Sequence, residues 1–214
     1  MNKYIVELIG TFFLVFTVGN VVLNPDVGVL GPLAIGSVLM VMIFAGGHIS
    51  GGHFNPAVTL AATIRGACPK SDAISYMIVQ VAGGAVGALL AMFLWDGAAA
   101  LAIDFGAEGI LPKAILAEFL FTFALCYVVL QVATAPANDG NSFYGLAIGF
   151  TVLVGAVTVG GISGGAFNPA VAAGLCFMKK AAWSSIWIYL VPQLVAGAAA
   201  AYVFMAVQNK ETES

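Results

Sequence analysis

The sequence predicts an all-α integral membrane protein with six transmembrane helices plus two re-entrant half-helices, arranged as an inverted 3+3 repeat. Three observations carry this reading. Hydrophobic residues make up 61% of the 214 and charged residues only 8%, with a mean hydropathy of +1.03, far outside the range of soluble domains. The eleven-residue stretch His48 to Val58 returns as Gly161 to Val171 with nine positions identical. Each copy opens a segment too short to cross a bilayer.

In chain order, the first apolar run covers about residues 4–23 and contains Glu7. It lacks a small-residue cleavage pattern and is read as a span, not a cleaved signal. A second run covers 32–48. The loop that follows ends in Asn55-Pro56-Ala57, where Asn is a favoured N-cap and Pro is preorganised for the first helical position. A helix from Pro56 to about Gly66, at ~1.5 Å per residue, spans roughly half of a ~30 Å hydrocarbon core. Full spans are expected at 73–95, 113–134, 143–161 and 183–207, with the second half-helix starting at Asn168-Pro169-Ala170. Breaks fall at Asn24-Pro25-Asp26, Pro69 to Asp72, Asp96 to Pro112 and Pro136 to Asn141, and the polar tail 208–214 is expected to fray.

Charge and cysteine content exclude several classes. Seven Lys and Arg against ten Asp and Glu give a net charge of −3, and with no basic run a nucleic-acid partner is not expected. Cys68, Cys126 and Cys176 sit in or beside apolar segments at no metal-ligand spacing, so no metal site, disulfide framework or cofactor is expected. There is no nucleophile with a base and no phosphate-binding loop, which argues against an enzyme.

The repeat organises the chain as a single channel domain, 1–214, with repeat one at 1–105 and repeat two at 113–214. Asn55 and Asn168 differ by 113, as do Gln80 and Gln193, while Glu7 and Glu118 differ by 111. Three full spans per repeat is an odd number, so the second copy enters from the opposite side. With both termini inside, Lys3, Arg65, Lys70 and Lys210 fall inside and Lys113, Lys179 and Lys180 outside, which leans towards cytoplasmic termini in a multi-pass cell-membrane protein.

Inversion brings the N-termini of the two half-helices together at the midplane. A backbone that stops there is tolerated only where it is buried in protein or lines a water-filled cavity. Gly46, Gly47, Gly51 and Gly52, with Gly160, Gly161, Gly164 and Gly165, fit extended loops whose carbonyls face such a lumen. Asn55 and Asn168 cap with their side-chain oxygens, leaving each NH₂ to donate to a passing solute. Two half-helix dipoles converge there and oppose cations. The expected function is a passive pore for uncharged hydrogen-bonding molecules that excludes ions and protons. A single Asn-Pro-Ala is more often an ordinary helix start; two copies in matching half-length segments of an inverted repeat are not.

The paired Asn-Pro-Ala motifs, the His48-Ile49-Ser50-Gly51-Gly52-His53 lead-in, and Glu7 and Glu118 resemble the aquaporin or major intrinsic protein family over essentially the whole length. The resemblance implies six tilted helices and two half-helices forming one pore per subunit, homotetramers in the lipid bilayer, and passive transport of water and small neutral solutes. Ala172 stands where glycerol facilitators usually carry Asp, so short bacterial aquaporins look more similar. By distance from the motif Asn, the resemblance places the selectivity filter at Ile35, Ala156, Gly165 and Val171. Most members carry Arg where this chain has Val171, and water-selective members carry Phe and His at the first two positions. Such a quartet is expected to be wider and less polar, admitting glycerol, urea or undissociated metalloid acids such as arsenite, unless a loop folds inward to refill the space.

Glu7 and Glu118 admit two readings: a proton-coupling pair, as a gradient-driven secondary transporter needs, or acceptors for the backbone N–H groups of the re-entrant loops. The second is favoured by their symmetric placement. His48 and His53, replaced in the second repeat by Gly161 and Ala166, are read as pore-loop support, with His48 a candidate for the cytoplasmic vestibule. The Gly83 to Gly87 spacing suggests close helix packing, and Trp95, Trp183 and Trp187 suggest interfacial anchors. A structural or adhesive membrane protein with a closed pore is the remaining alternative, for which the short loops offer little surface.

Overall fold

A computed structural model describes residues 1–24, 26–98, 100 and 102–211, the last three as backbone. It contains eight α-helices: α1 (Asn2–Leu23), α2 (Gly31–Ser50), α3 (Pro56–Arg65), α4 (Lys70–Leu94), α5 (Ile110–Thr134), α6 (Tyr144–Ser163), α7 (Pro169–Phe177) and α8 (Trp187–Glu211). Six of them are long and apolar enough to cross a membrane. The remaining two, α3 and α7, are the half-helices, and each begins at the Pro of its Asn-Pro-Ala motif.

The packing pairs come in matched sets. Helix α1 lies against α4 as α5 lies against α8, α1 against α2 as α5 against α6, and α3 against α8 as α7 against α4, while α2 and α6 face each other across the repeat boundary. Without a hydrophobic driving force in lipid, such contacts depend on small residues that let backbones approach. At Gly84 an added Cβ would lie 3.1 Å from Ala170 O, and at Gly197 2.6 Å from Ala57 O. These two glycines seat each half-helix against the opposite repeat's long helix.

Helix ends follow local chemistry. Helix α3 stops at Gly66, whose φ of 86° permits the left-handed turn; the equivalent turn after α7 is made by Lys179 at φ 59°. The last carbonyls of α5 are satisfied by side chains: Asn138 Nδ2 donates to Gln131 O (3.0 Å), Asn141 Nδ2 to Val132 O (2.7 Å) and Arg65 Nη2 to Thr134 O (3.2 Å).

Three expectations need correction. Gly46, Gly47, Gly160 and Gly161 are not in extended loops but in the last turns of α2 and α6. The helical ladder runs on through Gly51 N–H to Gly47 O (2.8 Å) and Gly164 N–H to Gly160 O (2.9 Å). Only the residues from Gly51 and Gly164 onward, where φ reaches 91°, leave the helix. The tail expected to fray from Gln208 is helical to Glu211, with Gln208 Nε2 donating to Gln131 Oε1 at 3.2 Å; residues 212–214 lie outside the described residues, as does Pro25. Helix α5 begins before Pro112, which sits in the first turn where a missing N–H costs no helical bond.

Candidate functional site

The site is where α3 and α7 meet. Asn55 (φ −157°) and Asn168 (φ −160°) are extended N-caps. Asn55 Oδ1 accepts from Ala57 N–H at 2.8 Å, and Asn168 Oδ1 from Ala170 N–H at 2.9 Å. The expected free NH₂ groups are half engaged. Asn55 Nδ2 donates across the junction to Phe167 O, and Asn168 Nδ2 donates back to Phe54 O, both at 2.9 Å. Each amide therefore keeps one N–H for another acceptor, and both Asn residues line the central cavity.

The two carbonyls that receive these bonds belong to residues held in an uncommon conformation. Phe54 has φ 48° and Phe167 φ 50°, a conformation that costs a bulky residue on the order of 1–3 kcal/mol and persists only where the surroundings over-determine it. The glutamates do so. Glu7 Oε1 accepts from Ser50 Oγ (2.7 Å) and His53 N–H (2.9 Å), and its Oε2 accepts from Phe54 N–H (2.7 Å) and Gln80 Nε2 (2.8 Å). Glu118 repeats the pattern with Ser163 Oγ (2.6 Å), Ala166 N–H (3.0 Å), Phe167 N–H (2.8 Å) and Gln193 Nε2 (2.8 Å). A carboxylate offers about four lone-pair directions, and here all are used. Both glutamates are fully buried and neither lines the cavity.

Sequence reasoning missed two members of this framework. Tyr76 Oη donates to Ser50 O (2.8 Å) and Tyr189 Oη to Ser163 O (2.6 Å), clamping the start of each re-entrant loop. The signal was available, because the two tyrosines stand 113 apart, the same offset as the motif asparagines.

The cavity is lined by a polar stripe from the two loops, made of Gly52, His53, Asn55, Gly165, Ala166 and Asn168. The opposite wall is aliphatic, with Leu39 from α2, Leu125 and Val129 from α5, and Ile148 and Val152 from α6. It leaves about 20 Å³ to the centres of water molecules, room for about one or two in single file. Of the four expected filter positions, Ile35, Gly165 and Val171 reach this lining. Ala156 does not; α6 contributes Ile148 and Val152 instead. The aliphatic side chains of Leu39, Ile148 and Val152 share this narrow lining with Ile35, Gly165 and Val171.

His48 lies apart from this constriction, on the wall of a wider vestibule of about 450 Å³ that also includes Gly51, Asn138, Asp139, Asn141 and Tyr144. His53 lines the constriction and its Nδ1 lies 3.1 Å from Thr59 Oγ1. On the other side the loop between α4 and α5 folds inward. Ala100 N–H donates to Met178 O (3.1 Å) and Ile103 N–H to Lys180 O (2.9 Å), and Ile103 packs where a Cβ on Gly164 would stand. The loop braces the second re-entrant segment from behind, and no Arg is brought to Val171, since Arg65 lies over the Phe204 ring at 5.0 Å at the far end of α3.

Comparisons with known proteins agree with this geometry. The sequence profile described as "Major intrinsic protein" matches residues 1–204. The "Glycerol uptake facilitator protein-like 6" of Lactiplantibacillus plantarum is 38% identical, with 94% of this chain and 96% of that protein covered. "Aquaporin NIP1-3" of Oryza sativa subsp. japonica is 34% identical (97% and 74% covered), and "Nodulin-26" of Glycine max is 32% identical (97% and 78%). Among solved structures, the aquaglyceroporin from Plasmodium falciparum superposes with a TM-score of 0.73 at 23% identity, covering 95% of this chain and 93% of that one. A facilitator-like protein, expected from Ala172 to stand further off, is thus among the similar relatives.

Proposed function

Since the chain belongs to the major intrinsic protein family, a family of passive channels for water and small neutral solutes, we propose that its pore runs between α3 and α7 past Asn55 and Asn168 and admits uncharged solutes beyond water. The observation that carries this reading is the pair of motif asparagines lining one cavity with a donor each to spare. A water or hydroxyl oxygen at the junction meets two N–H donors and the positive ends of two half-helices. Cations meet the same field, and a proton relay is interrupted because the junction water turns its oxygen to both amides.

The solute range rests on Ile35, Ala156, Gly165 and Val171 as the filter. None of them presents a side-chain donor or a charge, so the outer mouth supplies backbone acceptors alone. Glycerol, urea and undissociated arsenite all carry donors that such a mouth can receive. Their passage requires Leu39, Ile148 and Val152 to rotate away from the axis. Glu7 and Glu118 serve as loop anchors whose lone pairs are spent, which is why passive flux is preferred to gradient coupling. Homotetramers with both termini cytoplasmic are part of the same proposal. The two repeats act as halves of one channel domain.

Proteoliposomes test it. Purified protein is expected to raise water permeability together with glycerol, urea or arsenite flux, always downhill and with no proton current. Water flux alone, with the other solutes at the level of empty vesicles, removes the broad-filter reading. Uphill accumulation under a pH gradient removes the channel reading.

A further inference from the structure

The two repeats are not packed equally well. In the first, α1 and α4 approach through Gly83 and Gly87: a Cβ at Gly83 would collide with Leu8 O, and one at Gly87 would lie 2.6 Å from Phe12 O. The offsets of 111 and 113 map these contacts onto Phe119 with Ala196 and Phe123 with Ala200 in the second repeat. Both alanines are fully buried, so the second repeat carries a methyl group at each position where the first repeat has none. Between those helices lies an apolar groove of about 440 Å³ lined by Pro112, Ile115 and Phe119 on one side and Trp187, Val191 and Val195 on the other.

From Pro112 in the first turn of α5 to Phe119 the groove runs about 10 Å along the helix, some two thirds of one leaflet's ~15 Å of hydrocarbon. Its outer end carries Trp187 and Trp183, both about half exposed, as expected at a headgroup boundary. The exposed Lys113 stands there too, and its ammonium lies near Gly109 with no ion-pair partner among the described residues. A hydrocarbon slot with a cation at its interfacial end has the order of parts of one acyl chain and its phosphate. We propose that this groove seats an acyl chain of an anionic phospholipid, with Lys113 facing its phosphate, and that the Gly-to-Ala exchange at 196 and 200 creates the site.

Two measurements test this. In Trp95→Phe/Trp183→Phe protein, Trp187 is the single tryptophan, and with excitation at its red edge brominated phosphatidylglycerol in phosphatidylcholine vesicles is expected to quench it at a lower mole fraction than brominated phosphatidylcholine does. Lys113→Gln is expected to cut that preference about five-fold, and Ala196→Gly, which lets α8 close on α5, to abolish it. Native mass spectrometry of the wild type and Ala196→Gly provides the same comparison without replacing any tryptophan, as retained phosphatidylglycerol in the wild type alone. Equal quenching by both lipids, or equal retention in Ala196→Gly, overturns the site. So does efficient photo-cross-linking between copies from a photoreactive side chain placed at Leu116, which makes a second copy the occupant.

Discussion

In the first half of the molecule the loop ahead of the motif is packed from within by polar groups. His53 lies against Thr59, and Gln80 Nε2 donates to Thr59 Oγ1 (2.9 Å) as well as to Glu7. In the second half Ala166 and Ala172 take those places, and the loop is held from without, by Ile103 against Gly164 and by Phe105 edge-on to Tyr189 at 5.8 Å. Yet Ser, Glu, Gln, Tyr and Asn occupy matching positions in both. Backbone that ends inside a membrane must have every N–H and C=O satisfied, which makes the anchoring set indispensable. What merely fills the space around it is free to differ between halves, and through His53 and Ala166, which both line the cavity, that difference reaches the pore.

The largest expected effect comes from breaking what the halves share. Glu118→Gln replaces an acceptor of four hydrogen bonds, two of them from the backbone of the re-entrant loop, by a group that must turn an NH₂ towards donors. A loss of about 3–5 kcal/mol is expected, and Glu7→Gln should match it within error in thermal unfolding in detergent. Retained stability in one alone would show that the anchors are not equivalent. The tightest packing comes next. Gly83→Ala is expected to cost about 2–3 kcal/mol by overpacking, whereas Ala196→Gly should cost about 1 kcal/mol; similar costs at the two sites would contradict the unequal helix packing.

The outer mouth is addressed by function. Val171→Arg puts a guanidinium at the outer mouth and should lower glycerol or urea flux at least ten-fold while sparing water, measured by stopped-flow light scattering. The smallest effect belongs to the turn after each half-helix. Gly66 makes it without strain and Lys179 does not, so Lys179→Gly is expected to stabilise the protein by about 0.5–1 kcal/mol, visible as a raised Tm.

Much of the anchoring framework was legible in the chain because it is duplicated. A fixed offset links Asn55 to Asn168 and Gln80 to Gln193, and the half-helices follow from Pro at N1 and Gly or a turn at the end. Helix ends were less legible: nothing at Gly46 or Gly160 distinguishes a glycine that lets Val6 pack close from one in a loop. The pore wall was hidden for a different reason. Leu39, Ile148 and Val152 are ordinary aliphatic residues in apolar spans, and only the rotation of each helix turns them inward. The inward fold of the α4–α5 loop joins two backbone hydrogen bonds to contacts of Ile103 and Phe105 with partners some 60 and 84 residues away, and neither kind of contact has a local sequence signature.

The reciprocal bonds at the junction bear on biosynthesis. Asn55 donates to a carbonyl 112 residues further along the chain, so during translation the first motif stays unfastened until Phe167 has emerged from the ribosome and entered the bilayer. Both turns are then secured in the same event. A nascent chain arrested just before that point would hold five spans and a half-helix with its cap amide unlatched, a natural substrate for membrane-embedded chaperones and quality-control proteases.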